Sequence, residues 1–337
     1  MRARRPLRRA PIVAGAIIVA IAAMAVGADL LAPHSPVEVR MDVALQPPWF
    51  MTGGQLGYPL GTDPLGRDLL TRIMFGARAS LLVAVLSIGF STVVGTALGL
   101  LAGYAGGWID AIIMRTVDVV LTFPVILLAL IFVVTIGPSL WGVTTVLALL
   151  LWSRFSRLVR GEVLSWKQRE FIAYARAAGA SPLRIALVHL LPNIVNSIVV
   201  LATLQVGFAI VVEASLSFLG AGVPPPAPTW GGMISSGRTY IETAWWLVLF
   251  PGLAVGLTVL SFNLFGDWLR DTLDPTLQHL ENGGPRTGPP SPPGWLGTPR
   301  RSRGAPQAPR VARDAPAKPW RPSILRQTPS RVREDMR

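Results

Sequence analysis

Cysteine is absent from the 337 residues, so disulfides, thiolate metal sites and a cysteine nucleophile are excluded together. Lysine is nearly absent. Lys167 follows Trp166 and Lys318 follows Ala317, so neither ends the glycine-rich Gly-Lys-Ser/Thr turn with which a phosphate-binding loop holds a nucleotide. The three histidines, His34, His189 and His279, lie far apart on different segments, which argues against a metal cluster. Charge is scarce too: 15% of residues are charged against 51% hydrophobic, with a mean hydropathy of +0.49, a balance foreign to soluble domains. Residues 281–337 hold twelve Lys and Arg against four Asp and Glu, leaving only +5 of the net +13 to the first 280 residues. The basicity that would suggest nucleic acid belongs mostly to a tail, and no specific nucleic-acid site is expected.

Long apolar runs fill the remainder. A helix rises 1.5 Å per residue, so about 20 apolar residues cross a hydrocarbon layer about 30 Å thick. Residues 11–31, 80–101, 117–136, 140–152 (continuing past Arg154), 193–219 and 244–264 supply six such runs. The fold class expected is all-α: a polytopic integral membrane protein with six transmembrane helices. The first run follows Arg2, Arg4, Arg5, Arg8 and Arg9. It exceeds the usual apolar stretch of a signal peptide and shows no clear cleavage site before Pro33, so it reads as a retained span. With the N-terminus inside, fourteen Lys and Arg flank the cytoplasmic ends against five outside, which predicts both termini in the cytoplasm. Residues 1–10 are then a basic N-terminus and 11–32 the first span. Residues 33–78 form an extracytoplasmic loop, and 79–280 a core of five spans with a cytoplasmic hairpin at 154–192. Twelve prolines make 281–337 a disordered cytoplasmic tail that could brush membrane lipid.

Several local features stand out. Gly95, Gly99 and Gly103 form a small-residue stripe that lets another helix of the bundle approach closely. Thr62 or Asp63, before Pro64, is placed to cap a helix, and Asp118 is spaced to pair with Arg115 three residues earlier. In the hairpin, residues 170–178 read as a short helix that Gly179 ends in a left-handed cap. Ser181 and Pro182, at N-cap and N1, then start a second helix, and Pro192 precedes the fifth span. Two readings of this corner stay open, an amphipathic element on anionic lipid or a docking surface for a soluble partner. In the fifth run Glu213 is a carboxylate among apolar residues, to be paired, protonated or facing water, with Asn196, Thr203 and Gln205 adding polarity.

The run Ala173-Tyr174-Ala175-Arg176-Ala177-Ala178-Gly179, followed after nine residues by His189-Leu190-Leu191-Pro192, resembles the cytoplasmic EAA loop of ABC importer permeases. Leu60-Gly61-Thr62-Asp63-Pro64-Leu65-Gly66-Arg67-Asp68, Glu213 to Gly220, Trp230-Gly231, Gly266 to Asp271 and Leu273-Asp274-Pro275 are similar to the oligopeptide/dipeptide and nickel group within it. The likeness spans about residues 1–280; Ala173 stands where the loop's leading glutamate falls. It implies a permease working by alternating access beside a second homologous permease subunit, two cytosolic ATPase subunits and an extracytoplasmic solute-binding protein. It implies ATPase docking through Ala173, Arg176, Ala178, Gly179, Ser181, Pro182, Leu183 and Arg184. Asn196, Thr203, Gln205 and Glu213 become candidates for the translocation path. ATP would sit on the partner subunits, leaving this chain without a cofactor, a metal or catalytic residues. The cargo implied is peptide, with nickel or another small solute as the alternative. An ion-gradient-driven transporter or channel remains the competing class.

Overall fold

The computed structural model describes residues 10–273; the N-terminal arginines, His279 and the tail expected at 281–337 lie outside the described residues. Within them the chain is helical, and Thr62–Asp68 is an isolated bridge rather than a strand. The first apolar run forms α1 (Ala10–Val26), interrupted at Gly27 before the short α2 (Ala28–Leu31).

The loop before α3 ends in a compact knot of side chains. Asp63 accepts the N–H groups of Leu65 and Arg67, at 2.8 and 3.0 Å, and pairs with the Arg67 guanidinium at 2.6 Å. The expected helix cap at Thr62 or Asp63 is therefore not formed. Asp63 closes its own turn, Gly66 continues at φ 70°, and helix begins only where apolar residues resume. The cap is Asp68, which accepts the N–H and hydroxyl of Thr71 and starts α3 (Leu69–Ala105).

The third apolar run is not one helix. α4 (Gly107–Thr122) and α5 (Val125–Ile136) meet at 94°, because Phe123 precedes Pro124 and takes the extended backbone that a residue before proline prefers. α6 (Leu140–Trp166) continues well past Arg154, as expected, with Ser139 capping Gly142.

α3 lies along α6, and the glycine stripe makes this possible. A Cβ on Gly95 would stand 2.5 Å from the Phe155 Cβ and the Trp152 carbonyl; one on Gly103 would meet Val163 at 2.8 Å. The small-residue stripe thus serves packing inside the chain, as the sequence suggested. Ionic ties lock one end of this layer. Arg160 grips Asp110 of α4 through two nitrogens, one at 2.6 Å, and Lys167 donates at 2.6 Å to the Tyr104 carbonyl, near the negative end of α3. Asp118 pairs with Arg157 of α6, not with Arg115 as its spacing suggested, because α4 turns that face toward α6.

After α7 (Glu170–Ala177) the chain enters α8 (Pro182–Arg184), a π-helical stretch (Ile185–Leu190) and α9 (Leu191–Phe218). α10 (Trp230–Gly237) tucks the buried Trp230 against α3, where its indole N–H donates to the Ile73 carbonyl at 3.1 Å. α11 (Trp246–Leu273) packs on α9, with Gly207 facing Asn263 and Gly266 facing Leu204. Among the described residues four helices are long and apolar enough to cross a membrane: α3, α6, Pro182–Phe218 and α11. The bent α4–α5 pair gives a fifth if counted as one span, and α1 is a shorter apolar helix.

Candidate functional site

The sequence-predicted site residues fall in two regions. The first is the projection formed by residues 170–190. Glu170 sits in the first turn of α7, where a carboxylate suits the helix dipole. α7 ends in a Schellman motif: Gly179, at φ 80°, donates to the Arg176 carbonyl, and Ala180 donates to the Ala175 carbonyl, both at 3.1 Å. Nothing lies within 4 Å of where a Gly179 Cβ would stand, so it is the backbone conformation and not lack of space that calls for glycine. Ser181 then accepts the Arg184 N–H and Pro182 occupies N1.

The second arm and the fifth span, expected as successive elements, run through Pro192 as one helix. Leu191 donates its N–H to Ala186, five residues back, and the widened π register removes the clash that the proline ring would make with the Val188 carbonyl in an α-helix. Asn193 adds a side-chain bond to the His189 carbonyl at 2.6 Å. The arm and the fifth apolar run are consequently one 37-residue helix. Ile172, Ile185 and Leu190 are fully buried and anchor the projection. Ala173, Arg176, Ala178, Gly179, Ser181, Pro182, Leu183 and Arg184 are all exposed. Leu183 is 69% exposed and Tyr174 72%, so the surface combines bare apolar side chains with the cations Arg176 and Arg184.

The second region lies within the spans, and the four polar candidates of α9 do not converge there. Asn196 is exposed. Thr203 donates to the Val199 carbonyl and lines an apolar cavity of about 480 Å³ between α1, α3, α9 and α11. Glu213 is fully buried and accepts hydrogen bonds from Ser80 of α3 and from Ser217, both at 2.8 Å; this links the N-terminal half of α3 to the C-terminal half of α9. Gln205 faces α6, where its Oε1 accepts from Arg154 at 3.1 Å, while its Nε2 is buried with no partner among the described residues.

Arg154, which the expected run passes without a break, faces Gln205 across the α6–α9 packing. Its partner Gln205 lies on α9, about 20 Å along the helix from the C-terminal end at Phe218. The guanidinium sits 4.1 Å from the Phe208 ring centroid, half-buried, with no carboxylate in ion-pair range among the described residues. A cation at the bilayer centre costs roughly 2.5–3.5 kcal/mol on insertion scales, and less nearer the surface. A cation–π contact returns about 0.5–2 kcal/mol. Eight residues further along α6, Glu162 accepts from Ser197 at 2.9 Å, so the facing sides of α6 and α9 form a polar seam. The signal that could have found it was Arg154 standing within a run already expected to continue past it. Among the described residues no cluster of His, Cys, Asp and Glu is arranged to hold a metal.

Residues 95–279 match the family model described as binding-protein-dependent transport system inner membrane component. The chain is 44% identical over 252 residues to the di/tripeptide transport system permease protein DppC of Pseudomonas aeruginosa, covering 75% of this chain and 83% of that protein. It is 44% identical over 266 residues to a dipeptide transport system permease protein of Alkalihalophilus pseudofirmus, covering 78% and 84%. It is also 42% identical over 276 residues to a glutathione transport system permease protein of Pectobacterium atrosepticum, covering 82% and 90%.

Proposed function

The chain belongs to the family of binding-protein-dependent transport system inner membrane components, and from that premise we propose that it is the membrane-spanning permease subunit of an ABC importer for short peptides. The observation that carries the cargo class is the likeness to peptide permeases over three quarters of the chain or more. In this reading α1 and the bent α4–α5 pair join the four long helices as six spans of the bacterial cytoplasmic membrane, with both termini inside. A second homologous permease completes the pathway, and an extracytoplasmic solute-binding protein delivers the cargo. Two cytosolic ATPase subunits bind and hydrolyse ATP, while this chain holds no cofactor.

The exposed hairpin is the element the ATPases would grip, through Ala173, Arg176, Ala178, Gly179, Ser181, Pro182, Leu183 and Arg184. Its second arm runs without interruption into α9. A displacement of the corner therefore moves a span directly, whereas a helix lying on lipid has no need of that continuity. Coupling requires the ATPases to bind the inward-open and outward-open permease with different free energies, since equal affinity shifts nothing. Leaving Ala173 at the glutamate position removes one charge from the grip, and the apolar Tyr174 and Leu183 offer contact area in its place.

Uptake of a labelled dipeptide into proteoliposomes tests the reading. Transport should require the paired permease, both ATPases, the binding protein and ATP. Uptake by this chain alone down an ion gradient would contradict it.

A further inference from the structure

The seam between α6 and α9 holds a buried hydrogen-bond donor without an acceptor beside a half-buried cation. Arg154 uses one nitrogen on the Gln205 Oε1, and its guanidinium otherwise lies over Phe208. The Gln205 side chain is 5% exposed, and its Nε2, carrying two N–H groups, has no partner among the described residues. Buried polar groups of this kind are ordinarily satisfied, and a half-buried cation within a span ordinarily faces a counter-ion or water. Phe208 is not a counter-ion. The unmet Gln205 amide and the part of the guanidinium not bound to it suit one ligand, a negatively charged acceptor with two oxygens, which is the geometry a guanidinium fork and an adjacent amide recognise together.

We propose that Arg154, with Gln205 beside it, forms an anion subsite in the α6–α9 seam that receives the terminal carboxylate of a peptide in transit. This rests on the peptide-importer reading above. Every linear peptide carries that carboxylate whatever its side chains, so a single fixed cation serves many cargos. The subsite has one guanidinium and no opposing carboxylate, so it holds the anion loosely enough to let it go on.

The test uses the complete reconstituted importer and two forms of one dipeptide, with a free C-terminal carboxylate and with a C-terminal amide. Uptake of each is normalised to the occupancy of the binding protein. Arg154→Gln should lower uptake of the free acid about tenfold and leave the amide within about twofold, while Arg154→Lys retains most of the acid uptake. Equal loss of both forms, or loss of neither, overturns the subsite. In the absence of native cysteine in this chain, Arg154→Cys adds a second readout, with the thiols of the other subunits replaced. A cationic thiol reagent should restore acid uptake and a neutral one should not; failure of the cationic reagent to react or restore also overturns it. Should the unsubstituted complex move neither peptide, the importer reading fails instead.

Discussion

Glycine and glutamate illustrate how single residues hold this bundle. Gly95 carries no side chain because α6 occupies the space, whereas Gly89 on the same helix faces nothing within 4 Å. Gly95→Leu should therefore lower the thermal midpoint of the solubilised protein, at a cost of roughly 1–3 kcal/mol for overpacking, and Gly89→Ala should hold or raise it. Glu213 is fully buried with both carboxylate oxygens accepting from serines. Glu213→Gln keeps an acceptor for one serine; Glu213→Leu strands both and should cost about 1–3 kcal/mol, read in the same melt. Equal melts for the two would contradict the hydrogen-bond account. Gly179 was legible as a left-handed cap because glycine after a run of helix formers signals one. Glu213 was legible as a residue in need of partners, but not which ones, since Ser80 lies 133 positions away.

At the scale of elements, the sequence carried the runs better than their joints. The break at Pro124 was written in the sequence, yet the apolar run hid it because hydropathy does not register direction. Pro192 misled in the opposite sense: a proline that would end an α-helix is absorbed by one π turn. Asp118 paired across helices rather than along its own, and such choices depend on which face a helix turns inward. The two-pronged Arg160–Asp110 tie fastens α4 to α6. Asp110→Arg should loosen α4, seen as faster proteolysis of the α3–α4 joint, and adding Arg160→Asp should recover much of the protection. No recovery would mean the pair holds nothing in place.

For the whole molecule, composition alone announced a membrane protein, and the ordered motifs announced its family. Neither could pair Arg154 with Gln205, because that partner lies on another helix, 51 positions away. Residues 281–337 lie beyond the stretch that matches the family model, so deleting them should leave peptide uptake within about twofold in reconstituted vesicles. A large loss would assign them a part in transport.

The central claim is that the bent hairpin joins this chain to a motor made of other subunits. A photoreactive or thiol crosslinker placed through Leu183→Cys, at an exposed position of a chain with no cysteine of its own, reads that contact in the assembled complex. The account predicts an adduct with an ATPase subunit whose yield changes between nucleotide-free and ATP-bound states. An adduct with phospholipid alone, in every nucleotide state, would contradict it.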